Sequence, residues 1–452
     1  MRWLLSFVLV LASFSSSRCS AQAIRVADNP GPMALQVRGE FLYAWNAYKQ
    51  YAWGHDELKP LSKGYKDWYG TSLYMTPVDA LDTLIIMGLT DEADKAREEI
   101  TKNLSFDQDI EVKNFEITIR LLGGLLSSYQ LTGDKKLLFL ADDLGTRLLP
   151  AFNSPTGMPY MFVNLKTGKT RGAESNPAEI GTLLLEFGTL SKLTNKPVYY
   201  DKAKQALTEL YKRRSKIGLV GSTINVETGA WIDPTSHISG GIDSYYEYLL
   251  KSWLLFGDKD CQKMWKSSVH AVNKYLADNT KAGLWYAQVD MNTGKKISTH
   301  FGALDAFFPA VLARGGELDT AKRLEDSAYK MWTTFGIEPE EIDYKTMKVT
   351  SPGYPLRPEI IESAYYLYFY SKDARYTEMG STFLLSLVRL CKTDSGYAAL
   401  KNVETHEKND SMESFFLAET LKYLYLIYAP RETLDLNQVV FNTEAHPLRK
   451  TW

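Results

Sequence analysis

Thiols and imidazoles are scarce in this chain: three Cys and six His among 452 residues. No two His stand at the i, i+4 spacing of a zinc-binding helix. There is no G-x-S-x-G elbow, no P-loop and no dinucleotide fingerprint, so hydroxyl-nucleophile, phosphate-cradling and nicotinamide chemistry all lack their usual signatures. Charge of one sign is also missing. The formal net charge is −2, and nothing favours nucleic acid or an anionic membrane as a partner. Past the N-terminus no apolar run is long enough to span a bilayer. No low-complexity linker divides the chain.

The N-terminus has the pattern of an export signal. Arg2 supplies a positive start, Leu4 to Phe14 an apolar stretch, and Ala21-Gln22-Ala23 a small-residue cleavage site. A signal over 1–23 and a single domain over 24–452 are expected, in a soluble, exported, monomeric protein of the periplasm or medium. No retention tetrapeptide follows Trp452, which fits that destination better than the endoplasmic reticulum. Cys19 would leave with the signal. Cys261 and Cys391 would remain, and in an oxidising compartment they could pair.

What the chain has in quantity is aromatics and strategically placed acids. It carries 10 Trp, 28 Tyr and 19 Phe, enough to pack helices and line a sugar-binding surface. Carboxylates recur inside apolar segments seven times: at Asp79 and Asp82, Glu116, Glu179, Asp243 and Glu247, Asp305, Glu359 and Glu362, and Glu413 and Glu419. From the second onward the spacing is roughly 55–65 residues, in the range of an internal repeat. Between these segments lie amphipathic stretches of helical period, such as Met33 to Trp53 and Lys259 to Leu276. Apolar inner helices alternate with amphipathic outer ones, seven of each. Short breaks such as Thr132-Gly133-Asp134 follow the inner helices, where a C-cap belongs. Long Gly- and Pro-containing connections precede them, and Gly283 to Asp290 alternates as a hairpin would. This pattern predicts a closed ring of helical hairpins, all-α, with the functional face on the long-loop side.

An acid in an apolar element is costly unless paired or used. With so few His, proton transfer falls to carboxylates, and export, aromatics and paired acids together favour glycoside hydrolysis. Acids at helix starts can equally serve only as caps, because negative charge is stabilising there. In Arg357-Pro358-Glu359 the proline suits a first turn and places Glu359 at the helix mouth, with Glu362 on the same face. Arg120 falls four residues after Glu116, as a partner or as an ordinary ion pair. Thr443, in the segment after the last inner helix, offers hard oxygens suited to Ca²⁺, but there is no EF-hand pattern and spacing alone favours a plain loop.

Several segments in order resemble glycoside hydrolase family 47, the class I α-mannosidases: Ala52 to Leu58, Val78 to Leu84, Phe115 to Ser127, Ile242 to Lys251, Leu356 to Glu359, Ser414 to Tyr425 and Phe441 to Pro447. The resemblance runs from about Met33 to Leu448. It implies an (α/α)₇ barrel and Ca²⁺-dependent, inverting hydrolysis of terminal α-1,2-linked mannose from an oligosaccharide or N-glycan. It implies Glu116 as general acid, Glu359 as general base and Asp243 as a third catalytic carboxylate. Thr443 matches the metal ligand; Arg357, Glu362, Phe415, Glu419 and Glu444 match residues around the sugar and the metal's waters. Two positions depart from the processing enzymes of the family, which carry Arg and His where Gly241 and Ala303 stand here. Met412-Glu413-Ser414 and Leu304 to Pro309 look more like the degradation-enhancing mannosidase-like subgroup. The rival reading is a mannose-binding, lectin-like module on the same fold.

Overall fold

The computed structural model describes residues 30–450; the export signal expected over 1–23 lies outside them. Seven inner and seven outer helices alternate along the described chain. The outer set is Pro32–Tyr51, Thr90–Asn103, Lys135–Leu148, Pro197–Lys212, Lys259–Tyr275, Leu318–Phe335 and Arg375–Leu390. The inner set is Met75–Ile86, 114–132, 177–194 (interrupted at Thr182 and Leu183), Asp243–Phe256, 304–314, Glu359–Ser371 and 416–428.

Burial separates the two sets as their periodicity implies. The inner helix Met75–Ile86 buries eleven of its twelve residues. The outer helix Thr90–Asn103, which follows it, buries only Ala93, Ala96 and Ile100, one stripe of an otherwise solvated cylinder. The first and last inner helices pack on each other, so the ring closes into an (α/α)₇ barrel.

The two ends of the barrel differ. Each inner helix passes into the next outer one through a short turn, several of them left-handed: Gly133 at φ +75° and Gly257 at φ +71° occupy positions where a side chain would be strained. The outer-to-inner connections are long and carry small antiparallel sheets. Gly283–Tyr286 and Gln288–Asp290 do not form one hairpin together. The first pairs back onto Ala277–Thr280, the second joins Lys296–Ser298 and Thr235–Ser236, because the break at Ala287 ends one ladder and starts another. The N-termini of the inner helices therefore all open onto the long-loop face.

A C-terminal hairpin, Val439–Phe441 with Pro447–Arg449, enters from the opposite end. Arg314 and Gln130, both near the ends of inner helices, bind its strands. Its turn is carried into the barrel, where Asn442 and His446 are fully buried.

Cys261 and Cys391 do not pair; both are buried free thiols. One begins the outer helix Lys259–Tyr275 and the other ends Arg375–Leu390. They sit at opposite ends of the barrel with an outer helix between them, beyond the span of a disulfide.

Candidate active site

A cavity of about 310 Å³ opens on the long-loop face. Its walls come from the starts of six inner helices and its floor includes Thr443 and Glu444 of the hairpin turn. All nine residues expected to act, Glu116, Asp243, Arg357, Glu359, Glu362, Phe415, Glu419, Thr443 and Glu444, line it. Sequence distances of more than 300 residues collapse here because six of the seven inner helices deliver their first turns to the same place.

Glu116 is held by Arg120, whose Nε and Nη2 both donate to Oε2 at 3.1 Å. Its other oxygen faces Lys113 Nζ at 3.7 Å, and Lys113 in turn contacts Glu179 at 2.7 Å. Arg120 also binds Glu444 through Nη1 and lies over the rings of Trp68 and Phe415, 5.3 and 5.5 Å from their centroids. The helix carrying it widens into a π-turn over Thr118–Leu122. A second π-turn, Phe416–Thr420, carries Glu419. Such turns add a residue to the helical repeat and re-aim the side chains within it.

Asp243 and Glu359 each begin an inner helix. Burial pushes both carboxyls up to about 7. The Ser244 amide, donating to Asp243 at 2.8 Å, opposes the shift. Arg357, 3.9 Å from Glu359, opposes it there. Arg357 is itself fixed by Glu340 at 2.9 and 3.1 Å. Glu359 Oε2 is buried with no protein partner, which leaves it one accepting oxygen for a ligand or water. Just before this turn Leu356 adopts φ +67°, strain that the packed loop must impose on a non-glycine residue.

Deeper in, burial pushes Glu362 up to about 8, against the pull of Lys251 at 3.8 Å. Glu419 and Glu444 are driven well above the carboxylate range, again by burial first. Glu419 is raised further by its neighbours Glu444, Glu359 and Glu362. Among the described residues no three His, Cys, Asp or Glu side chains form a self-sufficient chelate. The floor does offer a donor set made only of oxygen, with Thr443 among four mutually repelling acids. A hard divalent cation relieves that repulsion, so the residues fit one bound through Thr443 with much of its shell left to water or ligand.

Several participants escaped sequence reasoning. Arg120 was legible only as half of an ion pair four residues apart. Glu247 lines the cavity one turn after Asp243 and pairs with Lys251. Glu179, one of the acids that could either support the site or cap a helix, lines the wall. Asp79 and Asp82, open to the same two readings, hold His446 of the hairpin turn. The helical spacing of Glu247 was a usable signal; nothing in the sequence pairs His446 with residues more than 360 positions away.

Comparison with known proteins identifies the family and the fold. The family model of Glycosyl hydrolase family 47 matches residues 40–450. An Arabidopsis thaliana protein named alpha-mannosidase I MNS5 is 37% identical over 98% of this chain and 81% of its own length. The mouse ER degradation-enhancing alpha-mannosidase-like protein 2 is 38% identical over 93% of this chain and 78% of its own. The solved structure of an alpha-1,2-mannosidase from Trichoderma reesei superposes with a TM-score of 0.85 at 29% identity, covering 93% of this chain and 99% of that one.

Proposed function

This chain belongs to glycosyl hydrolase family 47, and from that premise we propose that it removes terminal α-1,2-linked mannose from oligosaccharides or glycans with inversion at the anomeric carbon. One observation carries the reading: carboxylates from separate inner helices converge on a single cavity floored by Thr443 and Glu444. The hairpin turn, where Asn442 and His446 are fully buried, fills the barrel behind that floor, so a chain end fits better than a through-running chain, which supports exo action.

In this reading Glu116 gives its proton to the glycosidic oxygen as the bond to the anomeric carbon breaks. Glu359 takes a proton from the water that attacks the opposite face, so two separate carboxyls serve the two faces of the ring. The unpartnered Oε2 of Glu359 and a carboxyl poised near 7 suit a general base. Asp243 is the third carboxylate, adding negative charge beside a transition state that gains positive charge. Phe415 offers an apolar face to the sugar, and its flanking Arg120 and Arg357, the latter at 5.8 Å, keep the ring in place. Thr443 would hold Ca²⁺, with Glu362, Glu419 and Glu444 binding its waters; bound there, the ion supplies a template for sugar hydroxyls rather than a Lewis acid. The N-terminal apolar stretch supports export, and no described helix is long and apolar enough to cross a membrane.

Proton NMR of α-1,2-mannobiose digestion tests this directly. β-Mannose as first product is expected, with loss of turnover in Glu359→Gln. α-Mannose as first product would overturn the inverting assignment.

A further inference from the structure

Beneath the cavity lies a buried ionic chain that the proposed reaction does not use. His446 sits with both ring nitrogens against carboxylates: Nδ1 is 2.7 Å from Asp82 and Nε2 is 3.0 Å from Asp79. Both nitrogens can donate only if the ring is an imidazolium. Although burial disfavours that charge, Asp82 and Asp79 hold it in place. The second oxygen of Asp79 accepts from Ser414 Oγ and lies 3.6 Å from Arg120 Nη1. Ser414 Oγ is also 3.4 Å from that same nitrogen. Arg120 then ends on Glu116.

The hairpin turn meets this chain twice. Glu444 binds Arg120 Nη1 directly, and His446 reaches it through Asp79. The turn is stiff between these contacts, because Asn442 Oδ1 accepts from the amides of both Glu444 and His446, at 3.0 and 2.8 Å. With Nη1 clamped from below, the guanidinium plane has one orientation. Its remaining edge then fixes Oε2 of Glu116, which turns Oε1 toward Lys113 at the cavity wall.

The geometry points to Asp79 and His446 as positioning residues that lock the turn carrying Thr443 to Glu116 through Arg120. This rests on the reading of Glu116 as proton donor. A proton donor shifted by about an ångström loses on the order of 100-fold in rate, so the chain sets turnover without touching substrate.

The test compares α-1,2-mannobiose, whose leaving group needs a proton, with α-mannosyl fluoride, whose fluoride departs without one. Asp79→Asn removes the charge. Ser414→Ala is the milder variant, chosen because it deletes one hydroxyl and keeps the fold. Both are checked first by circular dichroism. Expected is a fall in kcat of at least about 10-fold on mannobiose, KM within about twofold, and a loss on the fluoride under about threefold. In a Glu116→Gln background the same changes should cost nothing further on mannobiose. His446→Gln should also reduce the rise in Tm that calcium gives the wild type, a readout independent of turnover. Equal losses on both substrates, or full additivity with Glu116→Gln, would overturn the coupling. A folded wild type inactive on both substrates would instead overturn the functional reading, and this inference with it.

Discussion

Arg120 places Nε and Nη2 on a single oxygen of Glu116, each at 3.1 Å. The pair is one helical turn apart in sequence, an arrangement usually worth a few tenths of a kcal/mol on a surface. Here Arg120 is buried between two aromatic rings, and two further acids, Glu444 and Asp79, compete for its third nitrogen. The same spacing has thereby become a device for aiming a carboxyl.

Arg120→Lys keeps the charge but loses the planar fork, so one ammonium cannot serve Glu116 and Glu444 in the same geometry. A drop in kcat of about 100-fold on α-1,2-mannobiose is expected, with the fold intact by circular dichroism. Turnover within about threefold of wild type would show that charge alone suffices.

The acid limb of kcat/KM should report the general base. Glu359 must be ionised to accept a proton, and burial has pushed it up to about 7. Activity should therefore fall about tenfold per pH unit below that point, well above where an exposed glutamate would titrate. Arg357 pulls the group down, so Arg357→Met should move the limb to higher pH. A limb that stays in place or moves down would remove Glu359 from the role.

Two acids outside the cavity should govern stability at neutral pH. Glu338 and Glu325 are fully buried and neither carboxyl has a hydrogen-bond partner. Burial drives both well above the carboxylate range. The folded protein thus keeps protons that the unfolded chain releases near pH 4.5. Stability is fully present below that pH and is lost as pH rises toward the folded-state values. Glu338→Gln removes that residue's share of the dependence, so its Tm should gain on wild type progressively between about pH 5 and 8. A difference in Tm that is flat with pH would contradict this.

Chelation should both inactivate and loosen the protein. With calcium at about 100 times its Kd, mass action stabilises the fold by about 2.7 kcal/mol. EDTA should lower Tm and abolish mannobiose turnover, and calcium should restore both. Thr443→Ala should show the low Tm with or without calcium. A wild-type Tm indifferent to EDTA would argue against a cation at this floor.

Each level of the protein was legible to a different depth. The repeat was plain because an inner helix must be apolar all round while an outer one needs a single stripe, and burial in Met75–Ile86 and Thr90–Asn103 follows that contrast. The cavity acids stood out because a carboxylate in an apolar segment has to be explained. Asp79 and Asp82 stood out equally, yet their partner His446 could not be found, since no local pattern encodes a contact between the first inner helix and the last hairpin. Cys261 and Cys391 showed the converse: composition allowed a bond that the ring's geometry forbids.

The seven-fold alternation and the side of the barrel that carries the long loops were written in the chain's local pattern. Those properties depend on hydrophobic period and on Gly or Asn at helix ends, which act over a few residues. Which acids reach the cavity, which are paired and which stand alone follows from the closure of the ring. Arg120 meets Glu444 and His446 meets Asp79 because the C-terminal turn is driven up the barrel axis. Glu359 keeps an unpartnered oxygen because the same closure withdraws it from water. Electrostatics in a buried site depends on every group that the closed ring brings near, and so it could not be read one segment at a time.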